Sequence, residues 1–74
     1  MSIKKFLIKD MLKKVDNVNN YYFKQFNNSF ILIVTFKTMN NQFETNKILN
    51  FLKMFNIEYR IIDNDLLSIS IDIQ

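Results

Sequence analysis

Cysteine, histidine, glycine, proline and tryptophan are all missing from this 74-residue chain, and so is alanine. Each absence closes off a chemistry. Without cysteine there are no disulfides and no thiolate metal sites. Without histidine the commonest zinc ligand and the commonest general base are gone. Without glycine the phosphate-cradling loops, the dinucleotide fingerprint and the glycine-bearing motifs of RNA-binding modules cannot be built. Nucleophilic catalysis is left with Ser–Lys or carboxylate schemes. Ser68 and Ser70 alternate with Ile, as residues on a solvated strand face do. Asp63-Asn64-Asp65 lacks the Gly, the distant Glu and the further ligands of a calcium loop. The chain is therefore expected to be non-enzymatic, with no cofactor and no metal.

What is present is Asn, Lys, Ile and Phe in abundance. All four have AT-rich codons, which points to a low-GC bacterium, one of its phages or plasmids, or an organellar genome. The expected compartment is the cytoplasm, or the matrix of an organelle with its own genome. Hydrophobic residues make up 49% and charged residues 23%, enough for a core. A chain of this length forms one domain, residues 1–74, and buries only about 60% of its extended surface. No segment approaches the roughly 20 apolar residues of a membrane span. In "MSIKKFLIKDMLKK" the apolar run is cut by Lys9 and Asp10, unlike a signal peptide.

Apolar spacing at Leu7, Ile8, Met11, Leu12, Val15 and Val18 predicts a helix over residues 3–18, with Ser2 as its cap. Tyr21–Phe26 and Phe30–Lys37 read as strands around an Asn27-Asn28-Ser29 turn. A second helix is expected from Asn41, with Glu44 completing a capping box and Ile48, Phe51, Leu52 and Phe55 as its buried stripe. Asn56 then acts as a left-handed stop in place of Gly. Ile57–Ile62 and Leu66–Ile73 make a second hairpin around Asp63-Asn64-Asp65, with Leu67, Ile69, Ile71 and Ile73 on one face.

The order α-β-β-α-β-β predicts an α+β fold, a four-stranded antiparallel sheet with two helices on one face. The last strand can insert between the hairpins in a ferredoxin-like arrangement, or the two hairpins can pair directly. The same element order opens each half of the LAGLIDADG homing nucleases, a likeness of element order alone.

Strand Phe30–Lys37 is apolar on both sides, which sets the functional question. Phe30, Leu32, Val34 and Phe36 are expected against the helices, leaving Ile31 and Ile33 on an open face. Phe43 and Met54 fall off the buried stripe of helix two, on the flank of Lys47, and Phe6 falls on the polar side of helix one. Together Ile31, Ile33, Phe43, Lys47, Met54 and Phe6 describe a docking surface for a protein or ribonucleoprotein partner, or for a second copy.

Charge suggests a second reading. Residues 1–37 carry seven lysines against two aspartates, whereas residues 38–74 carry three basic against five acidic residues, for a net +3. Lys5, Lys9 and Lys13 form a ridge at i, i+4 and i+8 that could track a phosphate backbone. Tyr22 could stack on unpaired bases, and Lys24, Lys37 and Arg60 would add charge. Lysines beside an apolar helix face also suit a membrane surface. That face is needed to cover the sheet, so no membrane is expected.

The expectation is thus a small binding module. It would be a phage or mobile-element inhibitor of a nucleic-acid-handling machine, or a small subunit of a ribosome-like assembly. The alternative is sequence-tolerant RNA or DNA binding through the lysine ridge.

Overall fold

The computed structural model describes residues 3–39 and 42–74. Its elements are α1 (Ile3–Leu12), β1 (Val18–Phe26), β2 (Ser29–Phe36), α2 (Phe43–Met54), β3 (Tyr59–Asn64) and β4 (Ser68–Ile73). The strands form one antiparallel sheet in the order β1-β2-β4-β3. The hairpins therefore pair directly, through β2 and β4, and β1 and β3 are the edges. The α+β architecture is the one the element order implies.

Period-two alternation sorts the two faces of the sheet. Phe30, Leu32, Val34 and Phe36 of β2 and Ile69, Ile71 and Ile73 of β4 are buried beneath the helices. Ile8, Met11 and Leu12 of α1 and Ile48 and Leu52 of α2 close over them, with Val15 and Ile57. Each fully buried Leu or Ile contributes about 1.5–3 kcal/mol of transfer free energy, so these rows are what hold the layers together.

Helix α1 is shorter than its apolar spacing predicts. It ends at Leu12, and three-residue turns carry the chain on, with Val15 N–H donating to the Leu12 carbonyl at 3.2 Å and Val18 N–H to the Val15 carbonyl at 3.2 Å. The cause is Asn17. Its Oδ1 accepts from Thr38 N–H (3.1 Å) and Thr38 Oγ1 (2.9 Å), while its Nδ2 donates to the Thr38 carbonyl (3.2 Å). These bonds fix residue 17 outside any helix. Val15 stays in the core, and Val18 becomes the first residue of β1. Ser2 and Asn41 lie outside the described residues. The N-cap of α2 is Gln42, so Glu44 sits one position too early for a capping box.

The end of α2 follows the expectation for Asn56. Its φ is 54°, its N–H donates to the Lys53 carbonyl (3.1 Å), and Ile57 N–H donates to the Leu52 carbonyl (2.9 Å). This is a Schellman closure with Asn in the usual glycine position. Phe55 of the expected stripe is instead exposed, and Thr45 takes the buried place one turn before Ile48.

The β3–β4 turn also moves. Asp63 and Asn64 belong to β3, and the chain reverses at Leu66-Leu67, with Asp65 N–H donating to the Ser68 carbonyl at 2.8 Å. Ile57 is fixed to the end of α2, and Gln74 N–H bonds the Glu58 carbonyl at 3.0 Å, so the register is set from that end. A turn at 63–65 would break it. A bulge between Ile61 and Asp63 takes up the extra residue. Leu67 is consequently 53% exposed and does not join Ile69, Ile71 and Ile73.

Candidate docking surfaces

The residues singled out in the sequence separate onto three surfaces. The first is the outer side of the helix layer. Met11 and Val15 of the α1 segment face Phe51 and Met54 of α2 across a groove that Asp10, Lys14, Lys47 and Asn50 also line. Lys47 and Met54 are thus brought together with apolar residues expected only in the core stripes. Phe43 lies one turn before Lys47, and the Lys47 ammonium sits 4.7 Å from its ring centroid. Phe6 lies one turn before Asp10 on α1. Phe6, Phe43 and Met54 are 61%, 60% and 71% exposed, so apolar surface extends beyond the groove at both helices. Asp10 and Lys14 form an exposed i,i+4 pair at 3.5 Å on its rim.

The second surface is the open face of the sheet. Two cross-strand rows run across its middle: Tyr22-Ile33-Ser70-Asp63 and Lys24-Ile31-Asp72-Arg60. Ile31 and Ile33 are half-buried rather than fully solvent-facing, since a residue of β1 and one of β4 flanks each. Arg60 Nη2 donates to Asp72 Oδ2 at 3.3 Å, and the Lys24 ammonium sits 5.5 Å from the Phe26 ring centroid.

The third surface is the flank between α1 and the edge strand β1. Lys5 donates to Gln25 Oε1 at 2.8 Å, and its ammonium lies 5.8 Å from the Phe23 centroid and 5.1 Å from that of Phe30. Lys9 lies 5.9 Å from the Phe23 centroid. Lys13 follows the helix end and lines a shallow cleft with Asp16, Tyr21 and Lys37. Lys5, Lys9, Lys13 and Lys37 therefore share one side of the molecule. Tyr22, Lys24 and Arg60 do not join them, because they occupy the opposite face of the sheet. The seven nucleic-acid candidates do not form one site.

Further exposed apolar residues were not singled out from the sequence. Ile61, Ile62, Leu66 and Leu67 surround the β3–β4 reversal, all of them exposed. Assigning the turn to the Asp-Asn-Asp tripeptide hid them, and the consecutive Leu66-Leu67 was the available signal. Among the described residues no three His, Cys, Asp or Glu side chains are grouped to hold a metal ion. Among them, too, no helix is long and apolar enough to cross a membrane. Comparison with protein-family models, with curated proteins and with solved structures returns no match.

Proposed function

We propose that this chain is a non-enzymatic binding module that docks on a protein surface through the outer side of its helix layer. The observation that carries this reading is the groove lined by Met11, Val15, Phe51 and Met54, with Phe6 and Phe43 exposed beyond it. Methionine and aromatic side chains adapt to a partner's shape, and the exposed Phe6, Phe43 and Met54, with a groove floored by the buried Met11 and Val15, offer apolar surface for docking. Asp10 and Lys14 offset each other at the groove, leaving Lys47 to favour an acidic group on the partner. In this reading the chain is a phage or mobile-element inhibitor of a nucleic-acid-handling machine, or a small subunit of a ribosome-like assembly.

The test is site-specific photo-cross-linking in the host cell, with the cross-linker placed at Phe43, at Met54 and at the control position Glu58. One shared partner trapped from 43 and 54 but not from 58 supports the reading. Equal trapping from all three positions, or none from 43 and 54, rejects it.

The second reading is RNA or DNA binding by the α1–β1 flank, favoured by the clustering of Lys5, Lys9, Lys13 and Lys37. Four phosphate contacts on a single strand would make log K fall with log salt at a slope of about −3. Fluorescence anisotropy with mixed-sequence RNA between 50 and 200 mM salt, on the order of a physiological titration, reads that slope directly. A flat or absent response ends this reading.

A further inference from the structure

We infer that the open face of the sheet is a self-complementary interface, and that its occupant is a second copy of this chain. This surface lies on the opposite side of the sheet from the groove, so the inference stands independently of the proposed function. Within the two middle rows there are two charges of each sign: Lys24 and Arg60 against Asp63 and Asp72. A phosphate backbone or a uniformly charged partner would meet as much repulsion as attraction there. A rotated copy of the same face would not.

Consider a two-fold axis that crosses the strands between the rows. It lays each row over the other: Ile31 meets Ile33 of the partner subunit, and Ile33 meets Ile31 of the partner subunit. Lys24 then faces the ring of the partner's Tyr22, Asp72 faces the hydroxyl of the partner's Ser70, and Arg60 faces the partner's Asp63. Every charged group gains an opposite charge, a hydroxyl or an aromatic face. An axis parallel to the strands would instead set Lys24 against the partner's Arg60. Charge therefore selects one packing, an isologous pair of sheets with the strands roughly aligned.

Size sets the strength. Four strands about 4.8 Å apart and five residues at about 3.4 Å each cover roughly 320 Å². A standard interface buries about 800 Å² per partner. The dimer is therefore weak and concentration-dependent.

Sedimentation velocity over a concentration series, together with isotope-filtered NOE spectra on a mixed-label sample, tests this. The expected results are a reversible monomer–dimer equilibrium and intermolecular NOEs between the Ile31 and Ile33 methyls. Ile33→Lys should weaken dimerisation at least about tenfold, while circular dichroism shows the fold retained. Asp63→Arg, which sets Arg against the partner's Arg60, should weaken it too. A parent chain that stays monomeric at millimolar concentration overturns the inference. So does a dimer indifferent to Ile33→Lys, one with Ile31–Ile31 contacts in place of Ile31–Ile33, or a face that proves to be covered by a different protein.

Discussion

Asn17 and Thr38 are joined by three hydrogen bonds across 21 residues of sequence, tying the exit of α1 to the exit of β2. Lys37 N–H donates to the Asn17 carbonyl at 2.8 Å beside them, so backbone and side chain close the same corner. Asn17→Ala removes the side-chain bonds and leaves Thr38 groups near solvent. A loss of about 1–2 kcal/mol is expected, read by urea denaturation. Asn17→Asp keeps the acceptor and loses the donor, and should fall between the two. An unchanged midpoint for Asn17→Ala would show that the corner holds without it.

Asn56 makes an opposite pair of predictions. With φ at 54°, glycine fits this position without strain and a β-branched residue does not. Asn56→Gly should leave the protein as stable or raise stability by up to about 1 kcal/mol, and Asn56→Val should lower it by about 1–2 kcal/mol. Thermal melts that rank the three in another order would contradict the Schellman assignment.

The two faces of the sheet should respond differently to truncation. Ile71 is fully buried and Ile33 is only half-buried. Ile71→Ala should cost about 2–5 kcal/mol, and Ile33→Ala less than half as much in the monomer. Equal losses, measured at a concentration where only monomer is present, would mean that the open face is not open.

Stability and docking should separate on the helix layer. Phe43→Lys and Met54→Lys alter exposed side chains and are expected to shift stability by no more than about 0.5 kcal/mol. Phe43→Lys should abolish the cross-link formed from position 54, and Met54→Lys the one formed from position 43. A large drop in melting temperature would recast these residues as structural.

Patterns with one local cause were legible in the sequence. The alternation of β2 and β4, the stripe of α2 at Ile48 and Leu52, and the left-handed Asn56 all follow from spacing or from a single backbone requirement. Boundaries set by distant partners were not. Nothing within residues 3–18 says that Asn17 will leave the helix for Thr38, and nothing in Asp63-Asn64-Asp65 says that Ile57 has already fixed the register. The candidate sites divided for a similar reason. Lys5, Lys9 and Lys13 share a helix face, so their clustering is local, whereas Tyr22 and Arg60 needed the strand order to be placed. The groove was half visible: Lys47 and Met54 were identified from α2 alone, while the core residues Met11 and Val15 came to line its other wall only through the way α1 and α2 meet.

The direct pairing of β2 with β4 has a consequence for how the molecule comes apart. Each half of the chain is a helix followed by a hairpin, and the two halves meet in the sheet only along that seam. Phe30, Leu32 and Val34 line up there with Ile73, Ile71 and Ile69. Neither half carries an interior of its own, since parting them would bring all six residues into water at once. The protein is in effect an intramolecular dimer of two helix–hairpin units, and it should melt in one all-or-none step rather than half by half.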